Sequence, residues 1–161
     1  MRRLVSPGDF NRVYDIYMHE TVVPFLGFDP MPREAFGKVF EPLFESGCFY
    51  VYEVDGMVMG FYKAQRHVGR TAHVAYLGTL AMAPEAQGRG IAVDMMQDAI
   101  SRLWRTGITR IELTVEADNH RAIAFYERLG FVHEGTQRAA YKRAEDAGYV
   151  DELMYGLLRS N

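Results

Sequence analysis

The chain has 161 residues, of which 48% are hydrophobic and 24% charged. That length suits one domain and hardly two, and that composition is globular, which excludes a disordered chain. The net charge is -3, with 8 basic against 9 acidic residues in 1–80 and 10 against 12 in 81–161, so neither half has the charge of a dedicated nucleic-acid binder.

In chain order, Ser6-Pro7-Gly8-Asp9 predicts a helix start, with Ser6 as N-cap and Pro7 at the first helical position. Phe10, Val13, Tyr14 and Tyr17 continue at helical spacing. An apolar segment, 22–28, leads to Asp29-Pro30-Met31-Pro32. A second helix is predicted over 33–46, with Phe36, Val39, Phe40, Leu43 and Phe44 on one face and Pro42 as a kink or early end. Residues 48–54 and 57–65 around Asp55-Gly56 read as a hairpin with a type I′ turn. The lone cysteine, Cys48, excludes an intrachain disulfide and suits a reducing compartment. It opens the run 48–52 and reads as a small buried hydrophobe rather than a nucleophile. A third strand, 71–82, is mostly apolar and so predicted central.

A helix is predicted over 90–105, a strand over 108–115, a short helix over 119–129 and paired strands over 131–142 and 149–158. The expected architecture is a mixed sheet with helices on both faces, a single domain over 1–161. The 14 residues between Arg70 and Glu85 carry no charge but fall short of the ~20 that span a bilayer. Met1-Arg2-Arg3 meets Pro7-Gly8 before any apolar signal region develops. The expectation is a soluble, cytoplasmic protein with neither membrane nor nucleic acid as partner. The five histidines show no metal-ligand spacing, so no metal is expected.

The most informative stretch is Leu80-Ala81-Met82-Ala83-Pro84-Glu85-Ala86-Gln87-Gly88-Arg89-Gly90-Ile91-Ala92. It runs from a strand end through two glycines into a helix start. Free N–H groups and the positive end of a helix dipole favour an anion there, and glycines let a phosphate approach the backbone. Neither a Walker loop nor G-x-G-x-x-G is present. Gly90, just ahead of a helix, reads as a position that would tolerate Asp.

Gln87-Gly88-Arg89-Gly90-Ile91-Ala92 resembles the Q/R-x-x-G-x-G/A signature of the GNAT family, the GCN5-related N-acetyltransferases. Leu80 to Pro84 is similar to its L-x-V-x-P lead-in, with Met82 in the usual Val place. Asn119-His120-Arg121-Ala122-Ile123-Ala124-Phe125-Tyr126-Glu127-Arg128-Leu129-Gly130-Phe131 resembles the family's N-x-x-A-x-x-x-Y-x-x-x-G-F helix and strand. The resemblance implies a GNAT-like central mixed sheet of six to seven strands flanked by about four helices. It implies acetyl transfer from acetyl-CoA to a primary amine, an amino acid or small amine being favoured, and leaves a homodimer open. The alternatives are a protein N-terminal acetyltransferase and a non-catalytic acyl-CoA-binding module. By the same resemblance the pyrophosphate rests on N–H groups of Gln87, Gly88, Arg89, Gly90, Ile91 and Ala92. The strand at Leu80 and Met82 splays from the next and pairs with the pantetheine arm. The Met82 N–H faces the thioester oxygen, Tyr126 is the general acid, and Asn119 touches the cofactor arm or caps its helix. The Glu that many relatives carry upstream of the proline is missing from 73–79. His73 is the one group there with a pKa suited to a base, against a plain strand-edge role. Glu20, Asp151 and Glu152 are candidates to attract a cationic amine.

Overall fold

The computed structural model describes residues 1–160. Its strands are β1 (Arg2–Leu4), β2 (Phe49–Val54), β3 (Met57–Arg66), β4 (Val74–Met82), β5 (Arg110–Glu116), β6 (Val132–Tyr141) and β7 (Val150–Leu158). Its helices are α1 (Phe10–Tyr17), α2 (Arg33–Glu45), α3 (Ile91–Arg105) and α4 (His120–Arg128). The strands form one sheet in the order β1-β2-β3-β4-β5-β7-β6. The pair β4–β5 is parallel and every other pair is antiparallel. No helix among the described residues is long and apolar enough to cross a membrane.

Alternation along the strands divides the apolar residues between two cores. Phe49, Val51 and Phe61 face one core with Val13, Ile16, Phe36 and Phe40 from α1 and α2. Tyr62, Ala75, Leu77, Ile111 and Leu113 face the other with Met95, Met96 and Ala99 of α3 and Tyr126 of α4. This is the period-2 pattern of strands meeting the one-sided stripe of amphipathic helices. The expected helices on both faces are therefore present. Asp55 and Gly56 both take positive φ, 52° and 77°, as the predicted type I′ turn requires.

The structure corrects several boundaries. Arg2–Leu4 is an edge strand on β2, a segment too short to show a period. The helix start at Ser6 is a 3₁₀ turn, Pro7–Asp9, that leads into α1. Helix α2 continues through Pro42 to Glu45, and Phe44 is left 40% exposed. The third strand starts at Val74, because Gly69–Thr71 forms a 3₁₀ turn ahead of it. Cys48 precedes β2 and is half-buried, so the buried-hydrophobe reading gives way to a strand-entry position.

The predicted central strand carries an unforeseen irregularity. Phe61 pairs with Ala81 and Lys63 with Gly78, so Tyr62 of β3 opposes two residues of β4, Thr79 and Leu80. Thr79 sits at φ 46°. This β-bulge shifts the alternation by one residue. Ala75 and Leu77, before it, face the α3 core, whereas Ala81 and Ala83, after it, face the α1–α2 core.

Candidate active site

Strands β4 and β5 pair only from Val74–Arg110 to Tyr76–Glu112. Beyond that point the backbone ladder stops and the strands part. One side-chain bond spans the fork, between the Tyr76 and Thr114 hydroxyls at 2.9 Å. On the other edge of β4, the Ala83 N–H donates to the Met59 carbonyl at 2.8 Å. Hydrogen-bonded and non-bonded pairs alternate in an antiparallel ladder, so Met82–Gly60 is a non-bonded pair. The backbone N–H of Met82, and by the same alternation that of Leu80, points away from β3 into the gap beside β5.

The glycine loop closes one end of this gap. Gly88 and Gly90 adopt φ 75° and 78°, a left-handed conformation that turns successive N–H groups toward one side. Among the described residues, none of the N–H groups from Gly88 to Ala92 donates to a backbone carbonyl. A Cβ built on either glycine meets nothing within 4 Å, so the space above the loop is open. The positive φ at Gly90 strains any side chain, which corrects the expectation that Asp is tolerated there. Arg121, at the start of α4, holds the Gln87 Oε1 at 2.7 Å and adds a charge beside the loop that the motif reading did not single out.

A cavity of about 810 Å³ runs along the gap, a volume suited to a drug-sized ligand or larger. Leu80, Met82, Gln87, Gly88, Gly90, Ala92, Asn119 and Tyr126 line it. Ile91 is buried in the α1–α2 core and Arg89 is exposed, its guanidinium 3.5 Å from the Glu85 carbonyl. The Asn119 Oδ1 accepts from the Ala122 N–H at 3.2 Å, so that oxygen serves as the N-cap of α4.

His73 does not belong to this site. It is exposed, precedes β4 and lies at the paired end of the β4–β5 fork, where its carbonyl accepts from Thr109 and Arg110. The part of β4 that lines the cavity runs from Tyr76 to Met82, and His73 is not among the lining residues, so the structure does not bring His73 together with the other candidates. Of the three acidic candidates, only Glu152 lines the cavity. Glu20 is exposed, and the Asp151 Oδ1 accepts from the Ala139 N–H at 2.8 Å.

The carboxylate that sequence reading missed is Glu116, the last residue of β5, which lines the cavity at 7% exposure. Burial pushes its carboxyl above the ordinary range. Hydrogen bonds from its own backbone and from Asn119 oppose the shift, the Glu152 charge adds to it and Arg143 opposes it. Burial also raises Glu152. Tyr126 is buried, and desolvation, with smaller repulsion from Glu116 and Tyr76, holds its phenol well above its usual value. No fully buried side-chain nitrogen or oxygen among the described residues lacks a hydrogen-bond partner. The Tyr126 hydroxyl, without one, therefore opens onto the cavity.

The segment after α1 roofs this end. Tyr141 of β6 donates to the carbonyls of Pro24, at 3.2 Å, and Leu26. Arg143 donates to the same Pro24 carbonyl at 2.6 Å and grips Asp118 with both terminal nitrogens at 2.9 and 3.0 Å. Burial pushes the Tyr141 phenol up to about 12, so it stays a donor at any working pH.

The model of the Acetyltransferase (GNAT) family matches residues 10–131, and the chain belongs to that family. A mycothiol acetyltransferase of Streptomyces coelicolor is 36% identical over 103 residues, 63% of this chain and 33% of that protein. One of Mycobacteroides abscessus is 32% identical over 115 residues, 70% of this chain and 38% of that protein. The chain thus spans about a third of the length of these curated relatives. Among solved structures, a ribosomal-protein-alanine N-acetyltransferase from Brucella melitensis superposes with a TM-score of 0.78 at 20% identity, covering 99% of both chains. A spermidine N-acetyltransferase from Vibrio cholerae, in complex with CoA and spermine, gives 0.81 at 18% identity, covering 98% of this chain and 94% of that one. At these identities the two structures establish the shared fold.

Proposed function

We propose that this protein is an acetyl-CoA-dependent N-acetyltransferase that acts on a primary amine, with residues 1–161 forming a single N-acetyltransferase domain. The observation that carries this reading is the fork between β4 and β5, which presents unpaired backbone donors of Leu80 and Met82 next to a loop of free N–H groups. An extended pantetheine arm fits such an edge as an added strand would, and a pyrophosphate fits the loop. Acetyl-CoA, when bound, supplies the activated acetyl group.

The chain's own groups divide the remaining work. The N–H of Met82 donates to the carbonyl oxygen as it gains charge, and one such donor is worth ~100- to 1,000-fold in rate. Tyr126 donates toward the departing sulfur. Its phenol is held above its ordinary value and hence above a thiol near 8.5, so the proton is shared in a hydrogen bond rather than surrendered. Glu116 takes the place offered to His73. A carboxyl whose pKa burial raises is a better-matched proton acceptor than an ordinary one.

A thermal-shift titration and a thiol-release assay test the reading together. Acetyl-CoA at a hundredfold excess over Kd adds ~2.7 kcal/mol of stability, a rise of roughly 5–10 °C for a chain of this size. ATP and NAD give no comparable rise. Thiol release from acetyl-CoA appears with at least one member of an amine panel. Absence of any shift at millimolar acetyl-CoA removes the reading. A shift without release in any amine leaves a CoA-binding module instead.

A further inference from the structure

Two carboxylates meet at the acceptor end of the cavity. Glu116 and Glu152 are register partners across β5 and β7. The next pair is hydrogen-bonded, Ala117 N–H to Asp151 carbonyl at 2.9 Å. Glu116–Glu152 is therefore a non-bonded pair, the closer kind, with Cα atoms ~4.5 Å apart and both side chains on one face. Like charges directly opposite each other destabilise a sheet. Among the described residues, neither carboxylate forms a salt bridge with Lys, Arg or His, although each lines the cavity. The cation that acts on Glu116 is Arg143, and it is already committed to Asp118, Asp146 and the Pro24 carbonyl.

The wall beside the pair offers an anion little. The Tyr76 and Thr114 hydroxyls bind each other, and the Tyr141 hydroxyl is spent on Pro24 and Leu26. Val22, Phe25 and Leu26 are apolar. The cavity's arginines and histidine, Arg121, Arg128 and His120, all come from α4, and Arg121 is drawn to the glycine loop.

We propose that the acceptor is a cationic amine with no carboxylate on the amine-bearing carbon, and that the Glu116–Glu152 pair both receives the ammonium and turns free amino acids away. This rests on the N-acetyltransferase reading and narrows its acceptor. The missing counter-charge for the pair is the substrate's own ammonium. An α-carboxylate would enter with it, within ~5 Å of two like charges, while the cations that line the cavity all belong to α4 and none to the strands that carry the pair. At an effective dielectric constant near 20 that repulsion corresponds to ~100-fold or more in discrimination. Small amines and peptide N-termini share the accepted chemistry, because a peptide bond removes the adjacent charge.

Matched pairs decide the matter: phenethylamine against phenylalanine, and tyramine against tyrosine, by thiol release with mass detection of product. A Phe-Ala-Ala amide in a third arm distinguishes a peptide source from a small-molecule one. The amine of each pair is expected to exceed its amino acid by ~100-fold or more in kcat/KM. Glu152→Gln is expected to lower the amine's kcat/KM and reduce the ratio about tenfold. Equal use of both members, preference for the amino acid, or an unchanged ratio in a folded Glu152→Gln protein overturns the proposal. If that variant does not fold, the wild-type ratio decides alone. Silence of every acceptor while acetyl-CoA still raises the melting temperature defeats the parent reading, and this inference with it.

Discussion

At Tyr126 a single oxygen separates packing from chemistry. The ring packs against Phe125 and Phe131 at 5.5 and 5.9 Å between centroids, so Tyr126→Phe preserves the contacts and deletes only the hydroxyl. We expect kcat to fall roughly 100-fold with the KM for acetyl-CoA little changed, measured where chemistry limits turnover. Because burial keeps the phenol protonated beyond the accessible range, the alkaline limb of the rate profile stays where it is. Near-wild-type kcat returns the residue to a packing role. Tyr126, Gly88 and Gly90 were legible in the sequence because they fall on the two stretches that resemble the family's signatures. Glu116 was not, since its partner Glu152 lies 36 positions away and only strand register joins them.

Elements fix where those residues stand. Helices α3 and α4 and the β2–β3 hairpin follow from periodicity and turn chemistry, and their predicted limits fall within one or two residues of the observed ones. The bulge at Thr79 does not, because an apolar run reads the same with one residue more. Yet that extra residue turns Ala81 toward the α1–α2 core. Strand β1 was missed for a different reason: three residues are too few to show a period, and a charge network adds to the ladder that holds them. Arg3 bonds both oxygens of Asp9 at 2.7 Å and Glu53 at 2.7 Å, and Asp9 also accepts from the Ser6 N–H and hydroxyl. The Arg3 hydrogen bonds, outweighing burial, lower Asp9 from 3.8 to about 2. A depressed carboxyl stabilises the fold above its unfolded pKa and loses that contribution as pH falls through its folded one. Asp9→Asn is therefore expected to cost about 2 kcal/mol at pH 7. Urea denaturation of both proteins should show the difference shrinking below pH 4 and nearly gone by pH 2. A difference that does not change with pH assigns the loss to packing.

Across the whole molecule, the sheet is continuous at one end of β4–β5 and open at the other, with a separate core on each face. A ligand laid into the open end replaces the absent ladder and joins the two halves. Hydrogen exchange resolves this from mere global stabilisation. The amides of Leu80 and Met82 and those from Gly88 to Ala92 lack partners on the cavity side, so without ligand they exchange by local motion. With acetyl-CoA at a hundredfold excess over Kd, exchange that requires ligand release slows by up to ~100-fold. Exposed amides at the Val132 end of the edge strand β6, aligned through Gly156 with the paired part of the fork at Glu112, keep their rates. Protection at both the β4 end and the loop is the expected pattern. Protection of the loop alone would mean that the pyrophosphate binds while the arm lies elsewhere, and the Met82 N–H would then have no part in the chemistry.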